Sequence, residues 1–292
     1  MGKKISFYLM SEKGLAVLRS QIAQFGTEHI ARVTTARDKN VQHDFYEEIV
    51  DHCKKNRIPC FDKSDGEGST TEISLAISWR WVIKDIKQLI VFHDSLLPRY
   101  RGFAPLVNAL INGEKKVGVT ALFASNDYDR GDIIAQKAVS LNYPITIAAA
   151  IEKIIPAYCS LTNMITSSLL SGKKLTAYKQ NEVLASYSLW RDEDDYRIDW
   201  GKNADEIKRS IDALGYPYKG ASCIAGEKKV RIMKAEIVKD LKIINRSPGK
   251  VIFSEGGKPV IVCGKGLIRI TGMHYEGGKS ALPFEKFRTR FH

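Results

Sequence analysis

Apolar positions in the first 180 residues follow two alternating rhythms. Runs at 4–11 (KISFYLMS), 29–36 (HIARVTTA), 75–79 (LAISW), 88–92 (QLIVF) and 117–124 (VGVTALFA) are continuous and rich in β-formers, which predicts buried strands. Between them the spacing turns helical. Leu15, Leu18 and Ile22 share one face, and so do Phe45, Ile49 and Cys53 over 44–56, where Asp44 is placed to cap. A long helix over 146–171 closes the series. Strands alternating with helices predict an α/β unit whose parallel-rich sheet is covered on both faces. After about residue 183 the texture changes. An amphipathic helix over 203–214, opened by Asn203 or Asp205, precedes short glycine-punctuated strands (ASCIAG, KKVRIMKAEIV, GKVIFSEGGKPVIVCGKGLIRITG). Short strands with regular turn signals predict a small β-barrel. The expected division is 1–182 and 183–292.

Composition narrows the picture. At 292 residues the chain has room for two cores, and 44% hydrophobic with 27% charged residues is ordinary for a globular protein. Mean hydropathy is −0.21, and no apolar run approaches the length of a bilayer span. The opening MGKKISFYLMSEKG is broken by Ser11, Glu12 and Lys13 and has no small-residue cleavage site, so it reads as a first strand. No membrane partner and a cytoplasmic location are expected. The cysteines (Cys53, Cys60, Cys159, Cys223, Cys263) are odd in number and form no CxxC, which fits reduced core residues and no metal site. The net charge of +12 is uneven, with 19 Lys+Arg against 9 Asp+Glu in residues 201–292. That surplus suits an anionic partner such as a nucleotide phosphate or an RNA backbone; a solvated surface is an equal reading.

Several chemistries are excluded by absent motifs. The first strand-to-helix turn, MSEKGLAV, lacks the GxGxxG of dinucleotide sites; no GxxxxGK[ST] and no GxSxG occurs. The chemistry-bearing residues gather instead in LIVFHDSLLPRYRG (89–102) and DYDRGDIIAQ (127–136). His93 lies just past an apolar run, at the carboxyl end of an expected strand, where open sheets bind ligands. Arg99 and Arg101 follow as candidate phosphate contacts, with a carboxylate-paired arginine as the alternative.

HDSLLPRYRG together with DYDRGDI resembles the folate-dependent formyltransferases, in which a His-x-Ser-Leu-Leu-Pro-x-x-Arg-Gly segment precedes an Asp-x-Gly-Asp-Ile loop. SWRW (78–81) resembles the folate-pocket loop of that family, and RIDWGKNADEIKRSIDALGYPYKGA (197–221) its linker into a C-terminal barrel. The resemblance implies a Rossmann-like formyltransferase domain followed by an OB-like barrel. It implies 10-formyltetrahydrofolate as co-substrate and His93 with Asp129 as the proton-handling pair. Folate contacts are carried over to Trp79, Arg80, Trp81, Ser125, Asn126, Asp127 and Tyr128. One departure stands out. The family asparagine two residues before the histidine, an oxyanion donor, is Val91 here. Asn108 and Asn126 are candidates to compensate, as is His93 in its cationic form.

Two acceptors fit the resemblance: the amine of a nucleotide-linked amino-deoxysugar, as in polysaccharide biosynthesis, and the methionine of initiator tRNA. The short connection ARDKNVQHD (36–44), the RDEDDYRIDW approach to the barrel and Val91 favour the sugar; the basic final third favours tRNA. A homodimer is expected on the sugar reading. A non-catalytic relative that binds nucleotide or RNA is the remaining alternative.

Overall fold

The computed structural model describes residues 3–66, 71–83 and 88–292. The chain runs β1 (Ile5–Leu9), α1 (Ser11–Phe25), β2 (Ile30–Thr35), α2 (Tyr46–Lys55), β3 (Cys60–Asp62), β4 (Ile73–Ile77), β5 (Gln88–His93), β6 (Arg101–Gly102) and α3 (Pro105–Ile111). It continues through β7 (Lys116–Phe123), β8 (Ile133–Ser140), α4 (Ile147–Leu170), β9 (Tyr187–Ser188) and α5 (Ala204–Leu214). The last strands are β10 (Ala221–Ala225), β11 (Lys228–Val238), β12 (Val251–Glu255), β13 (Lys258–Val262) and β14 (Leu267–Tyr275).

The first unit is a seven-stranded sheet in the order β3-β2-β1-β4-β5-β7-β8. Its first five strands are parallel, and β7 and β8 run antiparallel. The uniform parallel run implied by strand–helix alternation therefore stops at β5. From His93 the chain turns through a strap and the short α3, and β7 then lies beside β5 running the other way. β8, with a half-exposed face, was too polar to stand out as a strand. β1 and β4 are buried along their whole length, while α4 lays Ile147, Ile151, Ile154, Tyr158, Leu161 and Ile165 into the core. The N-cap of α2 is Phe45 rather than the expected Asp44, which stands one place earlier and accepts from Tyr46 N at Oδ1 at 3.1 Å.

The second unit is an antiparallel sheet in the order β10-β11-β14-β13-β12. Residues near 290 bridge both its edges: Phe291 pairs with Ala225 on one side and Arg290 with Lys250 on the other, closing the sheet on itself. α5 begins where expected, after Asn203, whose N–H donates to Glu206 at 3.1 Å. Burial pushes the thiols of Cys223 and Cys263 up to about 12, which suits inert core residues. Among the described residues no helix is long and apolar enough to cross a membrane, and no group of three or more His, Cys, Asp and Glu could hold a metal ion.

A third, two-stranded sheet joins β6 to β9 in parallel. It carries the chain as far as Ser188 against the first unit, and the Arg197–Ser222 bridge then starts the contacts with the second.

Candidate active site

His93 is the last residue of β5, and strand alternation puts it on the same face as Val91. Its side chain is 8% exposed. Nε2 lies 2.8 Å from the carbonyl oxygen of Tyr100, and Nδ1 lies 3.4 Å from Oδ1 of Asp129. A carbonyl only accepts, so Nε2 carries a proton. Nδ1 is then the ring nitrogen on the side of the carboxylate.

Two backbone features bring these groups together. Tyr100 and Gly102 both have positive φ (59° and 96°), folding the strap back so that the Tyr100 carbonyl meets the ring. Gly102 N donates to Asp129 Oδ2 at 2.8 Å. A Cβ at Gly102 would stand 2.5 Å from the Ser188 carbonyl oxygen, so only glycine fits against β9. Asp129 itself has φ 57°, a left-handed conformation that costs a non-glycine residue and needs support from its surroundings. That support comes from Gln180, whose Nε2 donates to the carbonyls of Asp129 (2.6 Å) and Gly131 (2.9 Å).

Beside His93, Asp94 forms a second, structural cluster. Its Oδ2 receives Lys13 Nζ at 2.5 Å, and its Oδ1 receives the hydroxyl of Tyr158. Burial by itself would push the Asp94 carboxyl up; the Lys13 ammonium, the two hydrogen bonds and His93 outweigh it and hold the group below the ordinary carboxylate value. Burial and then the Asp94 charge push the Tyr158 phenol well up. The turn after β5 is thus pinned to α1 and α4.

The residues carried over as folate contacts have mixed surroundings. Trp79 stands edge-on to Tyr8 (5.1 Å between ring centroids) and to Trp81 (5.2 Å). Its Nε1 and the hydroxyl of the preceding Ser78 are buried and find no hydrogen-bond partner among the described residues. Buried donors left orphaned in this way fit a site that receives a polar ligand. Arg80 is committed elsewhere, its guanidinium paired to Asp38 at 2.6 and 3.1 Å. Trp81 is partly exposed under Lys63 Nζ, 4.7 Å from its ring. Ser125, Asn126, Asp127 and Tyr128 form an exposed loop closed by the Ser125 hydroxyl donating to the Asp127 carbonyl at 2.8 Å, and Tyr128 packs on Phe103 at 5.9 Å.

Three candidate residues are engaged elsewhere, the two arginines in the carboxylate pairing that was their alternative reading. Arg101 is not a phosphate contact, because it is fully buried and its guanidinium is taken up by Glu182 and Gln180. Arg99 is paired to Glu114. Asn108 cannot replace the missing oxyanion donor: its amide donates to Ala104 O at 2.9 Å and its oxygen accepts from Arg191 at 2.5 Å. Val91 packs against Leu97, Leu122 and Ile133 and has no donor in its own side chain. The Tyr100 carbonyl, the Gly102 amide and Gln180 are the site groups that sequence reading missed. A backbone group leaves no side-chain signature, and an isolated glutamine in a linker offers none either. A cavity of about 760 Å³ opens among Lys3, Lys4, Ile73, Gln88 and Leu89 at the amino ends of the parallel strands and contains neither His93 nor Asp129. The imidazole–carboxylate geometry is the better guide to chemistry.

An open α/β sheet, a second sheet closed on itself and an imidazole beside a carboxylate at the end of β5 make up the fold and its candidate site. Residues 76–154 match the family model described as formyl transferase, and residues 191–290 that described as formyl transferase, C-terminal domain. Together they cover more than half of the chain, and the chain belongs to the formyltransferase family. A methionyl-tRNA formyltransferase of Carboxydothermus hydrogenoformans is 32% identical over 196 residues, 67% of this chain and 62% of the relative. The match therefore spans less than two thirds of that relative's length. Among solved structures, WlaRD, a sugar 3N-formyl transferase in the presence of dTDP and 5-N-formyl-THF, superposes with TM-score 0.68 at 18% identity, covering 92% of this chain and 97% of that one. HypX from Aquifex aeolicus in complex with tetrahydrofolic acid superposes with TM-score 0.64 at 19% identity, covering 94% and 44%. At these identities the structural likeness is one of fold.

Proposed function

We propose that the chain moves a formyl group from 10-formyltetrahydrofolate to the amine of a nucleotide-linked amino-deoxysugar, with His93 and Asp129 handling the proton. The observation that carries this reading is the ring's fixed orientation: Nε2 is held by a carbonyl, and Nδ1 faces the carboxylate at 3.4 Å. The folate supplies the activated one-carbon unit. The acceptor nitrogen must give up a proton as it bonds to carbon, and a neutral imidazole is suited to take it. His93 accepts at Nδ1, Asp129 stabilises the resulting cation, and the same N–H returns the proton to the departing nitrogen. Val91 offers the oxyanion nothing, and the loss of one such donor costs about 2.7–4 kcal/mol in well-studied sites. We assign that charge to the His93 imidazolium. The orphaned donors of Ser78 and Trp79 support a folate subsite at 78–81, with the loop 125–128 as its second wall. A cytoplasmic site of action, a homodimer and a division near residue 182 belong to the same reading; sedimentation checks the dimer.

The short connection from β2 to α2, residues 36–45, supports the sugar over tRNA. The second reading, a methionyl-tRNA formyltransferase, is favoured by the name of the curated relative and by the basic barrel. Incubation with 10-formyltetrahydrofolate and a panel of nucleotide-linked amino-sugars, following release of tetrahydrofolate, tests the choice. Formylation of charged initiator tRNA alone would remove the sugar assignment. Turnover of neither acceptor would favour a binding protein without chemistry. His93→Ala and Asp129→Asn should each lower turnover about a hundredfold or more, with circular dichroism unchanged. Near-normal rates in either variant would refute the roles assigned.

A further inference from the structure

Asp129 holds a left-handed backbone conformation (φ 57°), which costs any residue with a Cβ something even though Asp tolerates it better than most, and the group that braces it comes from 51 residues further along the chain. Gln180 Nε2 bridges two carbonyls of the acidic loop, those of Asp129 at 2.6 Å and Gly131 at 2.9 Å. Its Oε1 is fixed in turn by Arg101, which donates from Nε at 3.0 Å and from Nη2 at 2.8 Å. Arg101 is fully buried and makes a two-point pair with Glu182 at 2.8 and 2.7 Å. The amide of Gln180 is therefore oriented without ambiguity, its oxygen on a guanidinium and its nitrogen on two carbonyls. A buried arginine beside a single exposed glutamate makes little sense as surface chemistry. It makes sense as an anchor for the amide.

We infer that Gln180 is a positioning residue for Asp129, and that Arg101 and Glu182 hold Gln180 in register. This rests on the proposed proton-transfer role of Asp129. The segment linking α4 to β9 thereby sets the aim of the carboxylate at His93 Nδ1. Removing the amide frees Asp129 to leave its left-handed conformation, so that Oδ2 loses the Gly102 amide and Oδ1 moves from the ring. A displacement of about 1 Å in a catalytic group is enough for losses of about a hundredfold.

Gln180→Leu keeps the side-chain bulk and leaves the Arg101–Glu182 pair to hold the linker. Its turnover should fall about tenfold or more, with KM for 10-formyltetrahydrofolate nearly unchanged. The same substitution placed on Asp129→Asn should cost nothing further. Amide hydrogen exchange supplies a readout independent of activity. Gly102 N–H, which donates to Asp129, should exchange faster in Gln180→Leu, while Ile133 N–H, bonded to the Tyr178 carbonyl in the linker, keeps its protection. Unchanged Gly102 protection would overturn the inference. So would accelerated exchange at Ile133 together with Gly102, which would mean the linker has merely undocked, and so would an equal rate loss in the Asp129→Asn background. Should the wild type transfer no formyl group, the reading of function fails while the exchange comparison still decides whether Gln180 holds Asp129.

Discussion

Lys13 and Asp94 show what a buried charge pair does one residue from His93. Both side chains are largely out of water, at 11% and 17% exposure, so solvent screens the pair weakly. A carboxyl held below its ordinary value stabilises the fold above its unfolded pKa of about 3.9, and that contribution disappears as the pH falls through the lower native value. Lys13→Met leaves Asp94 buried beside Tyr158 without its cation. The variant should lose about 3 kcal/mol in urea melts at neutral pH. That deficit should shrink below about pH 4, where protonation of the carboxyl removes the wild type's advantage. A deficit independent of pH would mean that Lys13 acts by packing alone. His93 is a different case: its partners are a carbonyl at 2.8 Å and a carboxylate at 3.4 Å, a looser arrangement than the Lys13–Asp94 contact.

At the level of elements, the β7–β8 hairpin explains why the acidic loop has a glycine at 131. A Cβ there would stand 1.7 Å from the Phe123 carbonyl oxygen, in a hairpin closed by Phe123 N donating to the Asp132 carbonyl at 3.0 Å. Gly131→Ala must spread the hairpin at its base. It should cost about 1–3 kcal/mol by overpacking, and because Asp129 lies two residues away, turnover should fall more steeply than stability. A melt and a rate measured on the same preparation check this; an intact rate with lowered stability would place the glycine's role in folding alone. The hairpin also marks where sequence reading ran out. β1 and β4 were legible because burial on both faces leaves continuous apolar runs, and β5 because its run stays apolar although it is only partly buried. β8 alternates weakly and its Lys137–Ala138 pair is exposed, so it looked like the tail of a loop. His93 and Asp129 were legible because each sits in a compact local motif. The hydrogen bonds that aim them come from Tyr100, Gly102 and Gln180, through backbone atoms and a contact 51 residues distant, and neither leaves a pattern in composition or period.

Across the whole molecule the undecided quantity is what the basic barrel meets. Several of its cations are internally spent: Arg231 on Glu193 and Glu276, Arg246 on Asp240, Arg269 on Glu236 and Glu255. Others, including Lys234, Lys239, Lys242 and Lys250, are exposed. A protein that grips a nucleic-acid backbone through 6–10 phosphates loses about 10³–10⁵ in affinity between 50 and 200 mM salt. A nucleotide-linked sugar presents only its own few phosphates, so the ionic-strength dependence of KM separates the two acceptors even before product is identified. On the sugar reading KM should change less than about tenfold over that interval, and the double charge reversal Lys239→Glu with Lys242→Glu should leave turnover of the nucleotide-linked amine unchanged. A steep salt dependence that flattens in the double variant would place the barrel on RNA. The +12 net charge would then be part of acceptor recognition rather than of the surface alone.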